Sequence, residues 1–380
     1  LWILNFMVGG LFSTAVAQDM PEYKDGIQSL VLEAVTQQHN EIVRAIDSLK
    51  GNNSQTTPDE IMLFRRLRSI EGEIPLSYNA KVKDYIDKYT SKNYKPYIGK
   101  LQGLSTYYFP IFEQILKEAG VPTELKYLSV VESSLDPHCV STSGAVGPWQ
   151  FMYATAKGYE LTMDSHVDER KDPYSSSYAA SSYFKEAYAE FDDWLLAIAS
   201  YNCGRGAVRR AIKRSGMHKP DFWQLAPYLP QETRNYIPKF IAMTYVLNHV
   251  KEYDIPSVAS DLSWDSKVVM VDKQIDLAQV AQAVDVPVET LKKFNPSTKR
   301  SFIQGTAEKP RRLVLPQTQN LNDSLLYLAL NSPQLMPAAS QALAAVESTS
   351  TGDTHKVRSG ESLRSIADKY GVTVQNLKAW

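Results

Sequence analysis

Pro122-Thr123-Glu124-Leu125-Lys126-Tyr127-Leu128-Ser129-Val130-Val131-Glu132-Ser133-Ser134-Leu135 is the stretch on which the fold and the function turn. Leu125, Leu128, Glu132 and Leu135 recur at helical spacing and share one face. Thr123 is placed to cap the start of that helix. Glu132 therefore stands where the pattern asks for an apolar residue. A carboxyl group put there loses water, and desolvation favours its protonated form. A general acid needs that state, and enzymes tune Glu to pKa values of ~6–7 for it. Periodicity alone leaves a second reading open, a Glu at the edge of the face paired with Lys or Arg.

Outward from this helix, positions 75–255 read as one all-α domain. Helix stops fall at Gly120 before Pro122, at Asp136-Pro137 and at Gly216. Residues 18–74 read as a polar helical lead-in broken at Gly51-Asn52-Asn53-Ser54. Past position 260 the pattern changes. Val268-Val269-Met270-Val271 and Arg312-Leu313-Val314-Leu315-Pro316 are strand candidates with two helical stretches between them. Residues 262–320 thus form a small α+β unit. An Ala/Ser/Thr/Pro-rich linker follows over 321–353, and a further unit begins at 354.

That last unit repeats the earlier one. At a shift of 86 positions (357 minus 271), Val271, Leu277, Ala281, Val286, Val288, Leu291 and Lys292 meet identical residues. Val280 faces Ile366 and Phe294 faces Trp380. The ungapped register points to two copies of one βααβ module, the second (354–380) stopping short of its last strand.

Composition excludes several classes. Lys plus Arg total 41 against 42 Asp plus Glu, a formal charge of -1, so nothing draws the chain to nucleic acid. Six scattered His and two Cys have no metal-ligand spacing. No metal and no cofactor are expected. Residues 1–17 join an apolar run to Ala15-Val16-Ala17, the pattern of a secretory signal. The chain is expected to be exported to the periplasm or cell envelope, touching membrane only through that signal or peripherally.

Three further motifs follow Glu132-Ser133 in order. They are Gly147-Pro148-Trp149-Gln150, Ser200-Tyr201-Asn202-Cys203-Gly204, and Glu232-Thr233 with Tyr236. Each alone could merely satisfy buried backbone groups. Together they resemble the lytic murein transglycosylases with the goose-lysozyme-like catalytic fold. Val167-Asp168-Glu169-Arg170-Lys171-Asp172-Pro173 is similar to the D-type, membrane-bound subgroup with trailing LysM modules. The tail His355-Lys356-Val357-Arg358-Ser359-Gly360-Glu361 resembles LysM, which binds N-acetylglucosamine polymers. The 262–320 copy has Lys273-Gln274-Ile275 in place of the Ser-Gly-Glu turn and is a degenerate relative.

The resemblance implies a mainly α protein: a lysozyme-like all-α catalytic domain followed by small α+β LysM-type modules. It implies peptidoglycan glycan strands as substrate and Glu132 as a single acid and base. Ser133, Gln150 and Asn202 would hydrogen-bond the sugar, while Tyr201 and Tyr236 would shape the cleft and orient Glu132. Asp168, Arg170 and Asp172 are assigned to a structural charge network. Ser200, Cys203 and Tyr153 depart from the family pattern. Cys139 and Cys203 are expected to be packed thiols in preference to a disulfide. A hydrolytic muramidase and a non-catalytic glycan-binding scaffold remain the alternatives.

Overall fold

The computed structural model describes Gln37, residues 57–263, 265–319 and 321–331, His355, Val357, residues 361–370 and Val374. The signal-sequence reading, most of the lead-in and most of the linker lie outside these residues. The chain divides into two compact units. The first comprises Leu1–Glu71 with Leu76–Ala80, and the second Gly72–Pro75 with Lys81–Trp380.

In the first unit, α1 (Pro58–Ile70) starts on a capping box. Thr57 Oγ1 accepts from the Glu60 amide at 3.3 Å, and Glu60 accepts from the Thr57 amide at 2.8 Å. Tyr78 donates to Glu60 at 3.0 Å, tying the following segment to the helix.

The second unit carries α2 (Ala80–Thr90) from Lys81 onward and the 25-residue α3 (Lys95–Ala119). Gly120, at φ 68°, closes α3 in the left-handed conformation that glycine adopts without a steric penalty. A 3-10 turn at Thr123–Leu125 leads into α4 (Lys126–Ser133). Pro122 occupies the cap position, so Thr123 opens the turn and makes no side-chain cap, contrary to the sequence expectation. Leu125, Leu128 and Leu135 are buried as the helical face requires.

After α5 (Tyr153–Gly158) come α6 (Pro173–Phe191), α7 (Trp194–Cys203), α8 (Arg205–Ser215), α9 (Phe222–Leu225) and α10 (Gln231–Asn248). Asp172 and Asp193 cap α6 and α7 with their carboxylates, which suits the positive end of the helix dipole. The core is aromatic. Fully buried Trp149 lies 5.2 Å from Phe112 and 6.5 Å from Phe184, and its indole N–H donates to Ser177 Oγ at 2.8 Å. The buried polar end of the indole is thereby satisfied.

The α+β unit that follows is built from two antiparallel ribbons. β1 (Lys267–Val271) pairs with β4 (Arg311–Leu315), and β2 (Gln274–Asp276) pairs with β3 (Phe302–Gln304). Between β2 and β3 run α11 (Leu277–Ala283) and α12 (Val288–Phe294). Lys273-Gln274-Ile275, the substitute for the Ser-Gly-Glu turn, leads into and partly forms β2. Val271, Leu277, Val280, Ala281, Leu291 and Leu313 share its core. A helix, α13 (Asp323–Asn331), starts within the stretch read as linker and buries Ala329 against this core. In the tail, α14 (Leu363–Tyr370) buries Ile366 and Ala367. The sequence reading of the tail beyond Tyr370 lies outside the described residues, Val374 excepted. The mainly α class with appended α+β units is the architecture the sequence implied.

Two features seat the α+β unit on the helical domain. The connecting segment crosses α3 where side chains would collide, since a Cβ on Gly99 or Gly103 would meet Pro256 O at 2.1 Å or Val258 O at 1.6 Å. The loop between α12 and β3 lies against residues 162–172. Asp168 N donates to Ser297 O at 2.9 Å, Lys299 N to His166 O at 2.9 Å, and Arg300 Nε to Ser165 O at 3.0 Å. Arg312 pairs with Asp172 at 2.7 Å, and Arg311 with Glu169. Phe294 packs edge-on against Tyr107 at 5.6 Å.

Candidate active site

Glu132 lies at the C-terminal end of α4, followed by Ser134 and Leu135 at φ 59° and 63°. Such left-handed non-glycine residues cost on the order of 1–3 kcal/mol and persist where packing fixes them. Here the amides of Ser134 and Leu135 close the helix on Val130 O (2.9 Å) and Ser129 O (3.5 Å). Glu132 is half-buried and its carboxyl accepts a hydrogen bond from the Tyr236 hydroxyl of α10. Among the described residues no Lys or Arg pairs with it. Burial raises its pKa to about 7. The Tyr236 bond opposes that rise, the Glu232 charge adds to it, and Lys239 opposes it. The edge-of-face, ion-paired reading of Glu132 therefore fails on its own criterion.

The loop at 147–150 is fastened on several sides. Gly147 sits at φ 89°, and a Cβ there would meet Arg170 O at 1.8 Å, so only glycine fits. Pro148 O accepts from Ser129 Oγ and Ser133 Oγ, each at 2.9 Å. Trp149 O accepts from the Tyr201 hydroxyl at 2.6 Å. Gln150, at φ 50°, donates through Nε2 to Cys139 O (3.1 Å) and Gly147 O (2.9 Å).

These bonds sort the six residues singled out from the sequence. Glu132 and Tyr236 meet directly. Tyr201 stacks on Phe184 at 4.9 Å and is bound to the loop. Ser133 is buried, and its hydroxyl is directed at Pro148 O and Ser129 O (3.0 Å). It ties α4 to the loop. Gln150 likewise has its amide N–H groups directed at backbone carbonyls. Asn202 Oδ1 accepts from Thr233 Oγ1 at 2.7 Å, which leaves its amide as a donor. Thr233 belongs to the same motif as Tyr236. The pattern Glu-Thr-x-x-Tyr held the signal, because Thr233 and Tyr236 stand three apart on one face of α10. Cys139 and Cys203 are both free thiols.

The charge network is where the sequence placed it. Arg170 grips Asp168 with two parallel bonds, Nε to Oδ1 at 2.9 Å and Nη2 to Oδ2 at 2.8 Å, both side chains nearly inaccessible. Its Nη1 has no partner. Asp172 carries two loads, the cap of α6 and the pair with Arg312. Among the described residues no group of His, Cys, Asp and Glu could hold a metal ion, and no helix is long and apolar enough to cross a membrane.

Comparison with known proteins gives the same order of parts. Residues 109–223 match the transglycosylase SLT domain, residues 266–326 the LysM-like domain of lytic transglycosylase MltD, and residues 355–380 the LysM domain. The chain is 34% identical over 277 residues to membrane-bound lytic murein transglycosylase D of Escherichia coli (strain K12), covering 70% of this chain and 58% of that protein. It is 34% identical over 98 residues to a putative tributyltin chloride resistance protein of Alteromonas sp. (strain M-1), covering 26% and 47%. Among solved structures it is similar to the 70 kDa soluble lytic transglycosylase of Escherichia coli, with 19% identity, coverage of 55% and 35%, and a TM-score of 0.34. The domain matches define an SLT-type transglycosylase domain with trailing LysM-type units. In the order of these parts and in sequence the chain is similar to the D-type membrane-bound lytic murein transglycosylases. It spans little more than half the length of the Escherichia coli relative.

Proposed function

We propose that this chain is an exported lytic transglycosylase acting on the β-1,4 bond between N-acetylmuramic acid and N-acetylglucosamine in peptidoglycan. The observation that carries the reading is Glu132, a desolvated carboxyl with its pKa at about 7 and a phenol for its partner. Near neutrality such a group is available both protonated and ionised, which suits one residue to act first as acid and then as base. Glu132 gives its proton to the glycosidic oxygen as the N-acetylglucosamine side leaves. The resulting carboxylate takes the proton of the muramyl C6 hydroxyl while that oxygen closes on C1. The products are a new hydroxyl end and a 1,6-anhydromuramyl end, with no water consumed. A nucleophile tethered within the same ring has the advantage of high effective molarity.

Tyr236 holds Glu132 in place and stabilises its ionised form. Asn202, its oxygen engaged by Thr233, presents its amide to a sugar carbonyl or hydroxyl. Gln150 has only its Oε1 to offer, and Ser133 acts by fastening the loop. On this reading residues 75–255 are the cleaving domain, 262–320 the docked unit and 354–380 a glycan-binding LysM unit. On the same reading the enzyme works on glycan strands in the periplasm.

One observation favours a second reading. Glu232 is exposed and close enough for its charge to raise the pKa of Glu132. A hydrolytic muramidase would need a second carboxylate. Mass spectrometry of products from purified sacculi separates the two. Anhydromuramyl ends from the first minutes support the transglycosylase. Reducing muramyl ends, abolished by Glu232→Gln, would establish the hydrolase.

A further inference from the structure

Tyr97 is a large aromatic residue left 37% exposed near the N-terminus of α3. A single exposed aromatic needs no explanation, but this one is fixed in place. Its hydroxyl shares a 2.8 Å hydrogen bond with Ser134 Oγ, 37 residues away in sequence. Ser134 is the left-handed residue two positions after Glu132. The Tyr97 ring also meets Tyr94 edge-on at 6.3 Å and 83°. Tyr94 in turn contacts Tyr89 at 6.0 Å, and Tyr89 stacks with Tyr85 at 6.0 Å and 29°. Four phenols thus form a row, and its outermost member is pinned beside the end of the Glu132 helix. At the other end of the row Lys239 Nζ lies 6.0 Å from the Tyr85 ring centre.

We infer that Tyr97, backed by Tyr94, is a stacking platform for a pyranose ring of the glycan strand, a subsite beside Glu132 on elements that precede the SLT-matched residues 109–223. The inference rests on the glycan-cleaving reading above. A sugar ring has an apolar face of axial C–H groups and a rim of hydroxyls. A tyrosine held by its hydroxyl and by one ring edge keeps a face for the former and lets the rim reach water. Because the ring is already ordered, binding loses little side-chain entropy. The Ser134 bond ties the ring to the end of the helix that carries Glu132, where it would hold substrate without taking part in proton transfer.

The test compares Tyr97→Ala with Tyr97→Phe in the full chain. In the uncleaving Glu132→Gln background, soluble glycan strands are titrated by calorimetry. The platform predicts about tenfold weaker binding for the alanine variant and no more than about threefold for phenylalanine, which keeps the ring. In the active enzyme the alanine change should appear in KM for long strands while kcat holds. Unchanged affinity in Tyr97→Ala overturns the inference. So does an equal kcat loss in both variants, because that would trace the effect to the Ser134 bond and the placement of Glu132. Failure here leaves the cleavage reading standing if the unaltered chain still makes anhydromuramyl ends. Strand binding without any such cleavage would sink that reading and leave the platform.

Discussion

Glu132 and Asp168 are both carboxyl groups set into the helical domain, and the fold treats them in opposite ways. Asp168 receives a guanidinium fork, two parallel bonds from Arg170. Glu132 receives a phenol and, among the described residues, no paired cation, so burial prevails and its pKa climbs to about 7. The loop at 147–150 touches both surroundings, through Pro148 O on the α4 side and through Gly147 against Arg170 O. The difference teaches where this molecule spends charge pairing. The paired site holds structure and seats the α+β unit. The unpaired site keeps a proton within reach of neutral pH.

Changing Glu132 to Gln should break the contrast most completely. The amide keeps the volume but has no transferable proton. Turnover of sacculi should fall by about a thousandfold or more, while thermal unfolding stays cooperative. Ordinary turnover by this variant would remove Glu132 from the chemistry.

Arg170→Met attacks the other side. It leaves the buried Asp168 carboxylate with the backbone amide of residue 170 but no guanidinium, an arrangement that costs about 3–5 kcal/mol. Chemical denaturation should register a loss of that size at neutral pH. A shift under 1 kcal/mol would mean that the fork adds little.

Much of this contrast was legible in the sequence, for identifiable reasons. Glu132 broke an apolar face, and Asp168, Arg170 and Asp172 formed a compact run of alternating charge. β1 and β4 announced themselves through short apolar runs, Val268-Val269-Met270-Val271 and Leu313-Val314-Leu315. β2 and β3 did not, because three residues are too few to set an alternation. The sequence offers Ser133 and Gln150 as sugar contacts, yet their hydrogen bonds turn inward. Spacing places a residue on an element and leaves open which carbonyl its side chain will find. The docking of the α+β unit depends on pairs such as Arg311–Glu169, far apart in sequence and of ordinary residue types. Tyr97 was invisible for the same reason, since its partner Ser134 lies in another element.

Two substitutions sharpen the comparison by moving Glu132 in opposite directions. The Tyr236 bond lowers its pKa, so Tyr236→Phe should raise it and carry the alkaline limb of kcat/KM to higher pH. About tenfold in rate should go with the lost positioning. Glu232 raises the pKa, so Glu232→Gln should bring the limb down, with little loss of rate at pH 6. Shifts of the same sign in both variants would show that the limb belongs to another group.

Stability should follow pH with a stated sign. The folded pKa of Glu132 lies above its unfolded value, so its favourable contribution is complete below about pH 4.5 and is lost as pH rises through about 7. Glu132→Gln removes the penalty. The variant should gain on the order of 2 kcal/mol relative to the unaltered chain between pH 4 and pH 8, a figure reduced for the residue's partial exposure. Denaturation midpoints at the two pH values measure it. The smallest effect expected is at the docking face, where Arg312→Ala should cost about 1 kcal/mol because the Arg312–Asp172 pair is partly open to water.

The central claim is that Glu132 is desolvated and left unpaired so that it can carry a proton near neutrality. Carbon-detected NMR of the side-chain carboxyls, with Glu132 assigned by its absence in Glu132→Gln, reads that directly. The account predicts a Glu132 titration midpoint near 7, moving up in Tyr236→Phe. A midpoint near 4.5, the value of a solvated Glu, would contradict it.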